Sequence, residues 1–301
     1  MRVEWAFGTD PGRVRTNNED SVLALPEKGL AILCDGMGGH RAGETASQIA
    51  VETFIAAFEE GRASAAQPGT DSDPLQAMIT AAREANRAVN AKARAETDFY
   101  GMGCTLVALH LGEGEARFVT VGDSRLYLFR DGELHQVSED HTRLRMLEQM
   151  GIDLDPAEAR QVHGILIRAI GTQSEIDVDY GSGPAVRGDI WLLCSDGLTD
   201  ELKAEEIRVI LSDGIDAEQI VAACIRRALD AGGRDNVSVV AGRVIEGPLP
   251  RGGEAAPRVA TDSASDTAGA AAAGHASSSL LRRLSRRLLG RDPGVEEEGS
   301  R

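Results

Sequence analysis

Two short apolar runs stand out along the chain, Leu30-Ala31-Ile32-Leu33-Cys34 and Ile190-Trp191-Leu192-Leu193-Cys194, each of a length that suits a buried strand. Each leads at once into an aspartate beside glycine: Asp35-Gly36-Met37-Gly38-Gly39-His40 after the first, Ser195-Asp196-Gly197 after the second. Ser21 to Leu25 reads as a partner strand to the first run, joined to it through Pro26-Glu27-Lys28-Gly29, and this hairpin can bring Glu19 and Asp20 to the sheet end of Asp35. Residues 3–7 are too short to assign. Further strands are expected at Thr105 to Leu111, Ala116 to Val121, Arg125 to Phe129 and Glu133 to Val137, with a closing strand at Val237 to Val244. The connections in the middle group are short, which predicts antiparallel pairing of successive strands.

Helical spacing alternates with these strands. Ala46, Ile49, Ala50, Thr53, Phe54, Ala57 and Phe58 lie on one face of a helix that ends at a polar loop over 61–72. Asp73-Pro74 opens a second helix, with aspartate as cap and proline at the first helical position, running through Leu75, Met78, Ile79, Ala82 and Val89. Two more are expected near 203–212 and 216–231, the latter stopped by Gly232-Gly233. Residues 139–175 are charged and read as a mobile surface element, with a helix near Arg143 to Met150 and an irregular Asp153 to Arg160. These elements divide the chain into a folded part over 1–246, a Pro/Gly/Ala/Ser-rich disordered linker over 247–279, a segment 280–291 and an acidic end over 292–301. In 280–291 four leucines face away from paired arginines, a basic amphipathic pattern that suits weak contact with a membrane surface or with the chain's own acidic part.

Composition narrows the classes of function. With 301 residues, 42% of them hydrophobic, the chain can bury a substantial core. A formal net charge of -16 argues against nucleic acid as a partner, since such binding rests on cations that neutralise phosphates. Cys34, Cys104, Cys194 and Cys224 show no Cys-x-x-Cys spacing and read as buried thiols. No apolar stretch approaches the ~20 residues of a spanning helix and no leader pattern is seen, so a cytoplasmic protein is expected.

The candidate chemistry lies in the aspartates. Asp35, Asp123, Asp196 and Asp235 each stand at a strand end or tight turn, three of the four beside glycine, with Glu19 and Asp20 as a further acidic pair. Oxygen ligands that converge at strand ends suit Mg2+ or Mn2+, whereas zinc calls for more histidine or cysteine. Surface turns are commonly acidic, so no single Asp-Gly pair carries this reading.

Taken in order, Asp10-x-Gly12-x-x-Arg15-x-x-Asn18-Glu19-Asp20, Asp35-Gly36-Met37-Gly38-Gly39-His40, Gly103-x-Thr105, Gly122-Asp123-Ser124-Arg125, Arg168-Ala169-Ile170-Gly171, Ser195-Asp196-Gly197-Leu198 and Arg234-Asp235-Asn236-Val237 resemble the motifs of metal-dependent protein serine/threonine phosphatases of type 2C. The resemblance covers about residues 1–245 and is greatest to the compact bacterial branch. It implies an α+β fold, a four-layer α/β/β/α sandwich of two antiparallel sheets flanked by helix pairs. It implies hydrolysis of phosphoserine and phosphothreonine by a hydroxide shared between two Mn2+ or Mg2+ ions. Asp35 would bridge the ions, with the Gly36 carbonyl on one and Asp196 and Asp235 on the other. Glu19 would act through water, supported by Asp20, and Asp123 with Asp196 would hold a weaker third ion. Arg15 would fork onto the phosphoryl oxygens, and His40 would protonate the leaving oxygen. Implied partners are phosphorylated proteins and a cognate Ser/Thr kinase, with the chain acting as a monomer. Departures are small: Cys34 precedes Asp35, and Pro11 sits inside the first motif. The rival readings are a catalytically silent phosphatase-like binding or scaffold module, which would be expected to have lost carboxylates, and an acidic cation-binding structural protein, which leaves Arg15 without a purpose.

Overall fold

The structure, a computed structural model, describes residues 1–39, 41–64, 73–250 and 255–262. They fall into two compact units, one made of Met1–Asp140 with Arg168–Ala264, the other including His141–Ile167. In the first unit the strands form two antiparallel sheets. β1 (Arg2–Asp10), β11 (Val237–Glu246), β10 (Ile190–Cys194), β7 (Arg125–Arg130) and β8 (Glu133–Gln136) make the smaller, in that order. The larger runs β12 (Ala260–Asp262), β9 (Val178–Pro184), β6 (Glu115–Val121), β5 (Leu106–Gly112), β3 (Leu30–Met37) and β2 (Asp20–Leu25), with β4 (Gly103–Cys104) added beside β3.

The period of two along the buried strands assigns their faces. On β3, Leu30, Ile32 and Cys34 join a core shared with α1 (Arg41–Ser64) and α2 (Pro74–Ala95), while Ala31 and Leu33 face the other sheet. On β10, Trp191 and Leu193 enter that inter-sheet core. Ile190, Leu192 and Cys194 instead pack with α5 (Asp196–Thr199), α6 (Ala204–Ser212) and α7 (Ala217–Ala231). A strand packed on both faces must be apolar at every position, which is why these two runs show no alternation. All four cysteines are free and buried, as expected. The expected pair of antiparallel sheets, each with helices against it, is present.

Three expectations need correction. Successive strands β6 and β7 do not pair, because Gly122-Asp123-Ser124 carries the chain from the larger sheet to the smaller. Their short connection reflects a change of sheet. The stretch expected to be irregular over 153–160 contains α4 (Pro156–Val162), started by a capping box in which Asp155 accepts from Glu158 N and the Glu158 side chain accepts from Asp155 N. Within that second unit, α3 (Arg143–Gln149) begins where Thr142 caps it, and Thr142 forms an antiparallel bridge with Leu166. The third correction concerns the linker: β12 lies inside 247–279 and pairs with β9, Thr261 opposite Asp179. Segments 280–291 and 292–301 lie outside the described residues.

Candidate metal centre

The β2–β3 hairpin pairs Asp20 directly with Asp35, so two carboxylates meet across one rung of the larger sheet. Thr105 fixes Asp35 from the other side: its hydroxyl accepts from Asp35 N at 2.9 Å and its own amide donates to Asp35 O at 2.8 Å. The same hydroxyl meets Ser124 Oγ at 2.6 Å, which ties the Asp123 turn to the Asp35 strand. Gly122 makes this close approach feasible. Its φ is 105°, and a Cβ there would stand 2.6 Å from Thr105 Cγ2.

The smaller sheet contributes its strand ends. Ser195 follows β10 and donates its hydroxyl to Asp20 Oδ2 at 2.9 Å, and Asp196 opens α5. Asp235 precedes β11 and receives Arg15 at 2.6 Å. Asn236 then grips the β1–β2 loop at three points: its amide donates to Pro11 O at 3.0 Å and Asn17 O at 2.8 Å, and its Oδ1 accepts from Glu19 N at 2.8 Å. The loop bearing Arg15 is therefore held at both ends. Gly36 completes the floor, with its amide on Glu19 O at 3.1 Å and no room for a Cβ against the Gly43 carbonyl.

The cluster is electrostatically costly as it stands. Burial, followed by the charges of Asp20, Asp196 and Asp123, holds the Asp35 carboxyl well above the usual carboxylate range, and Asp35 also shares a hydrogen bond with Asp196. Asp20 is pushed up to about 7 by burial against the help of hydrogen bonds from Ser238 and Ser195, with Asp196 and Asp235 adding repulsion. Asp123 is likewise pushed up to about 7, first by burial and then by Asp196 and Asp140. Arg15 is raised by its hydrogen bond to Asp235. Carboxylates desolvated against one another in this way call for a cation.

The donor set meets that need in kind. It is all oxygen, as hard divalent ions require, and Asp20 Oδ1 is buried without a hydrogen-bond partner. Among the described residues, however, no three His, Cys, Asp or Glu side chains stand close enough to hold an ion as they are. Asp235 is engaged by Arg15 at 2.6 Å. Glu19 is engaged by Asn17 at 3.0 Å. The fit is thus one of chemistry and neighbourhood.

Of the residues expected from sequence, Asp20, Asp35, Asp123 and Asp196 lie within one field of interacting charges, and Glu19, Gly36, Asp235 and Arg15 border it. Arg15 engages Asp235 instead of standing open. His40 lies outside the described residues. Sequence reasoning passed over Ser195, Thr105 and Asn236 as supports, although all three fall inside the quoted motifs. Their signal was a small polar side chain at the mouth of an apolar strand.

Comparison with known proteins places these features in a family. Residues 8–236 match the family described as Protein phosphatase 2C. The serine/threonine protein phosphatase PstP of Mycobacterium tuberculosis is 38% identical over 245 residues, which is 81% of this chain but 45% of PstP, so the chain spans about half the length of that relative. The serine/threonine phosphatase stp of Listeria innocua is 35% identical over 238 residues, 78% of this chain and 93% of stp. A solved structure of the PstP catalytic domain, in complex with two manganese ions, superposes with a TM-score of 0.68 at 37% identity and covers 81% of this chain and 99% of that one. With the matched span reaching from within β1 to the residue before β11 and taking in every carboxylate of the cluster, the chain belongs to the protein phosphatase 2C family.

Proposed function

We propose that this protein is a metal-dependent protein serine/threonine phosphatase that hydrolyses phosphoserine and phosphothreonine in other proteins and so opposes Ser/Thr kinases. The observation that carries this reading is the desolvated trio Asp20, Asp35 and Asp123, all facing the charge of half-buried Asp196, with Asp235 and Arg15 at the rim. Asp35, the Gly36 carbonyl, Asp196 and Asp235 would hold two Mn2+ or Mg2+ ions, backed by Glu19 and Asp20, and Asp123 with Asp196 would hold a weaker third. Bound there, such ions supply an activated water and neutralise developing charge at phosphorus.

The chain's own residues do the rest. Arg15, carried on the loop that Asn236 clamps, would leave Asp235 and fork its guanidinium onto two phosphoryl oxygens. Asn236, Thr105 and Ser195 hold the backbone around the carboxylates, so that little rearrangement beyond side-chain rotation is required. His40 is assigned, on its place in the motif, the delivery of a proton to the departing serine or threonine oxygen. A silent scaffold would gain nothing from burying mutually repelling carboxylates, which disfavours that rival.

The finer expectations belong to the same reading: a cognate Ser/Thr kinase, action as a cytoplasmic monomer, and a weak membrane-surface or intramolecular contact through 280–291. Among the described residues no helix is long and apolar enough to cross a membrane. The test is release of inorganic phosphate from a phosphothreonine peptide in Mn2+ and in chelator. Release that requires the metal supports the proposal; no release at any Mn2+ or Mg2+ concentration favours the scaffold, and equal release in chelator removes the metal.

A further inference from the structure

β12 lies 24 residues beyond the end of the matched family span, yet it is seated in a groove shaped to receive it. Gly181 and Gly183 alternate on one face of β9, where residues 257–258 cross. A Cβ on Gly181 would meet the Phe118 ring at 2.4 Å and Arg258 O at 2.6 Å, and one on Gly183 would meet the Pro257 ring at 2.7 Å. Glycine inside a strand is unfavourable without such a reason. Ala256 and Val259 pack against the inter-sheet core, and Asp262 pairs with Arg83 of α2 at 2.9 Å.

One contact in this seam reaches toward the reaction. The buried Asp179 on β9 accepts from Thr261 Oγ1 at 2.8 Å and, on the same Oδ1, from Arg168 at 2.7 Å. Arg168 begins the turn Arg168-Ala169-Ile170-Gly171, in which Ile170 exchanges both backbone hydrogen bonds with Cys104, at 2.8 and 3.1 Å. Cys104 and Gly103 pair in turn with Gly36 and Met37, directly after Asp35. Only a glycine fits at 103, since a Cβ there would lie 2.7 Å from Ile170 O.

We propose that Thr261 and Asp179 are positioning residues: the segment 255–262 docks on the edge of the larger sheet and, through Asp179, fixes Arg168 and the turn that buttresses Gly36 and Met37. The segment thus serves the catalytic end of the molecule although it follows the family domain in sequence. A plain edge cover, which only shields β9 from pairing with other chains, would need neither the hydroxyl of Thr261 nor its sharing of one oxygen with Arg168.

The test uses the full chain with Thr261→Val, which keeps shape and removes the donor, and Thr261→Ser, which keeps the donor. Thr261 is exposed on a three-residue edge strand, so neither change threatens folding. Two quantities are read: kcat and KM for p-nitrophenyl phosphate in Mn2+, and amide hydrogen exchange at residues 169–171 and 36–37. Thr261→Val is expected to lower kcat about 3- to 10-fold, the factor expected from one ordinary hydrogen bond, with KM within about twofold. Exchange at 169–171 should quicken by a similar factor, and Thr261→Ser should restore both. Unchanged kcat and unchanged exchange at 169–171 in Thr261→Val would overturn the inference even if the melting temperature fell. The activity readout rests on the phosphatase reading, whereas the exchange readout does not. A wild-type chain without activity would sink that reading and leave exchange to decide this one.

Discussion

Asp35 carries two opposite obligations, and substitution separates them. Its carboxyl is raised by burial and by Asp20, Asp196 and Asp123, so the charged form is less favourable folded than unfolded. Such a group contributes stability below its ordinary value of 3.8 that is lost as pH rises through the folded value, and Asp20 and Asp123 follow the same course toward about 7. Asp35→Asn should therefore raise the melting temperature in chelator at pH 7.5, by about 4 to 8 °C for ~2 kcal/mol in a domain of this size, and the gain should shrink toward pH 4. In Mn2+ the same variant should lose phosphatase activity by at least about a thousandfold. A melting temperature unchanged in chelator at both pH values would contradict the repulsion described here. For His40 the expectation is a split between substrates. His40→Ala should slow a phosphoserine peptide by about 10²- to 10⁴-fold, yet slow p-nitrophenyl phosphate little, because nitrophenolate leaves without a proton. Equal losses in kcat would mark His40 as a support of the Gly38-Gly39 turn. Asp35, Asp123 and Asp196 were legible in sequence because each stands beside a glycine, two of them at the end of an apolar run, whereas Glu19, Asp20 and Asp235 were legible only through the ordered motifs. Thr105, Ser195 and Asn236 show locally only as small polar residues at strand mouths; their partners were not legible, because the hydrogen bonds span 70, 175 and 217 positions.

At the scale of elements, the turn Gly122-Asp123-Ser124 does more than connect. It moves the chain between sheets while presenting Asp123 and bracing Thr105 through Ser124. Gly122→Ala would force a Cβ into Thr105 at a left-handed φ of 105°, with an expected cost of about 1 to 3 kcal/mol. Because Thr105 holds the amide of Asp35, activity should fall along with stability, and urea unfolding beside a kcat measurement checks both. A variant as stable and as active as the wild type would show that the turn has slack. Long apolar runs and capped helices could be read from sequence, since β3, β10, α2 and α7 each satisfy a local rule. β1 escaped because its polar and apolar residues are mixed, and pairing with β11 gives it its order. β9 escaped because Asp179, Gly181, Ser182 and Gly183 show no strand pattern; the glycines are fitted to the Phe118 ring and to the crossing of 257–258.

For the whole molecule, the boundary moves. Composition placed the end of the folded part at 246, but the contacts of Ala256, Val259, Thr261 and Asp262 extend it to 262. A chain ended just after Asp262 should keep full activity on small phosphoesters, whereas one ended at 246 should lose melting temperature and kcat together. Equal behaviour of the two chains would return the boundary to 246. The measurement that bears most directly on the central claim is calorimetric titration of the chelated wild-type chain with Mn2+, beside Asp35→Asn. The carboxylate cluster predicts two ions bound to the wild type, a weaker third at high concentration, and loss of the tight sites in Asp35→Asn without loss of fold. Wild-type binding of Mn2+ that Asp35→Asn leaves unchanged would contradict it.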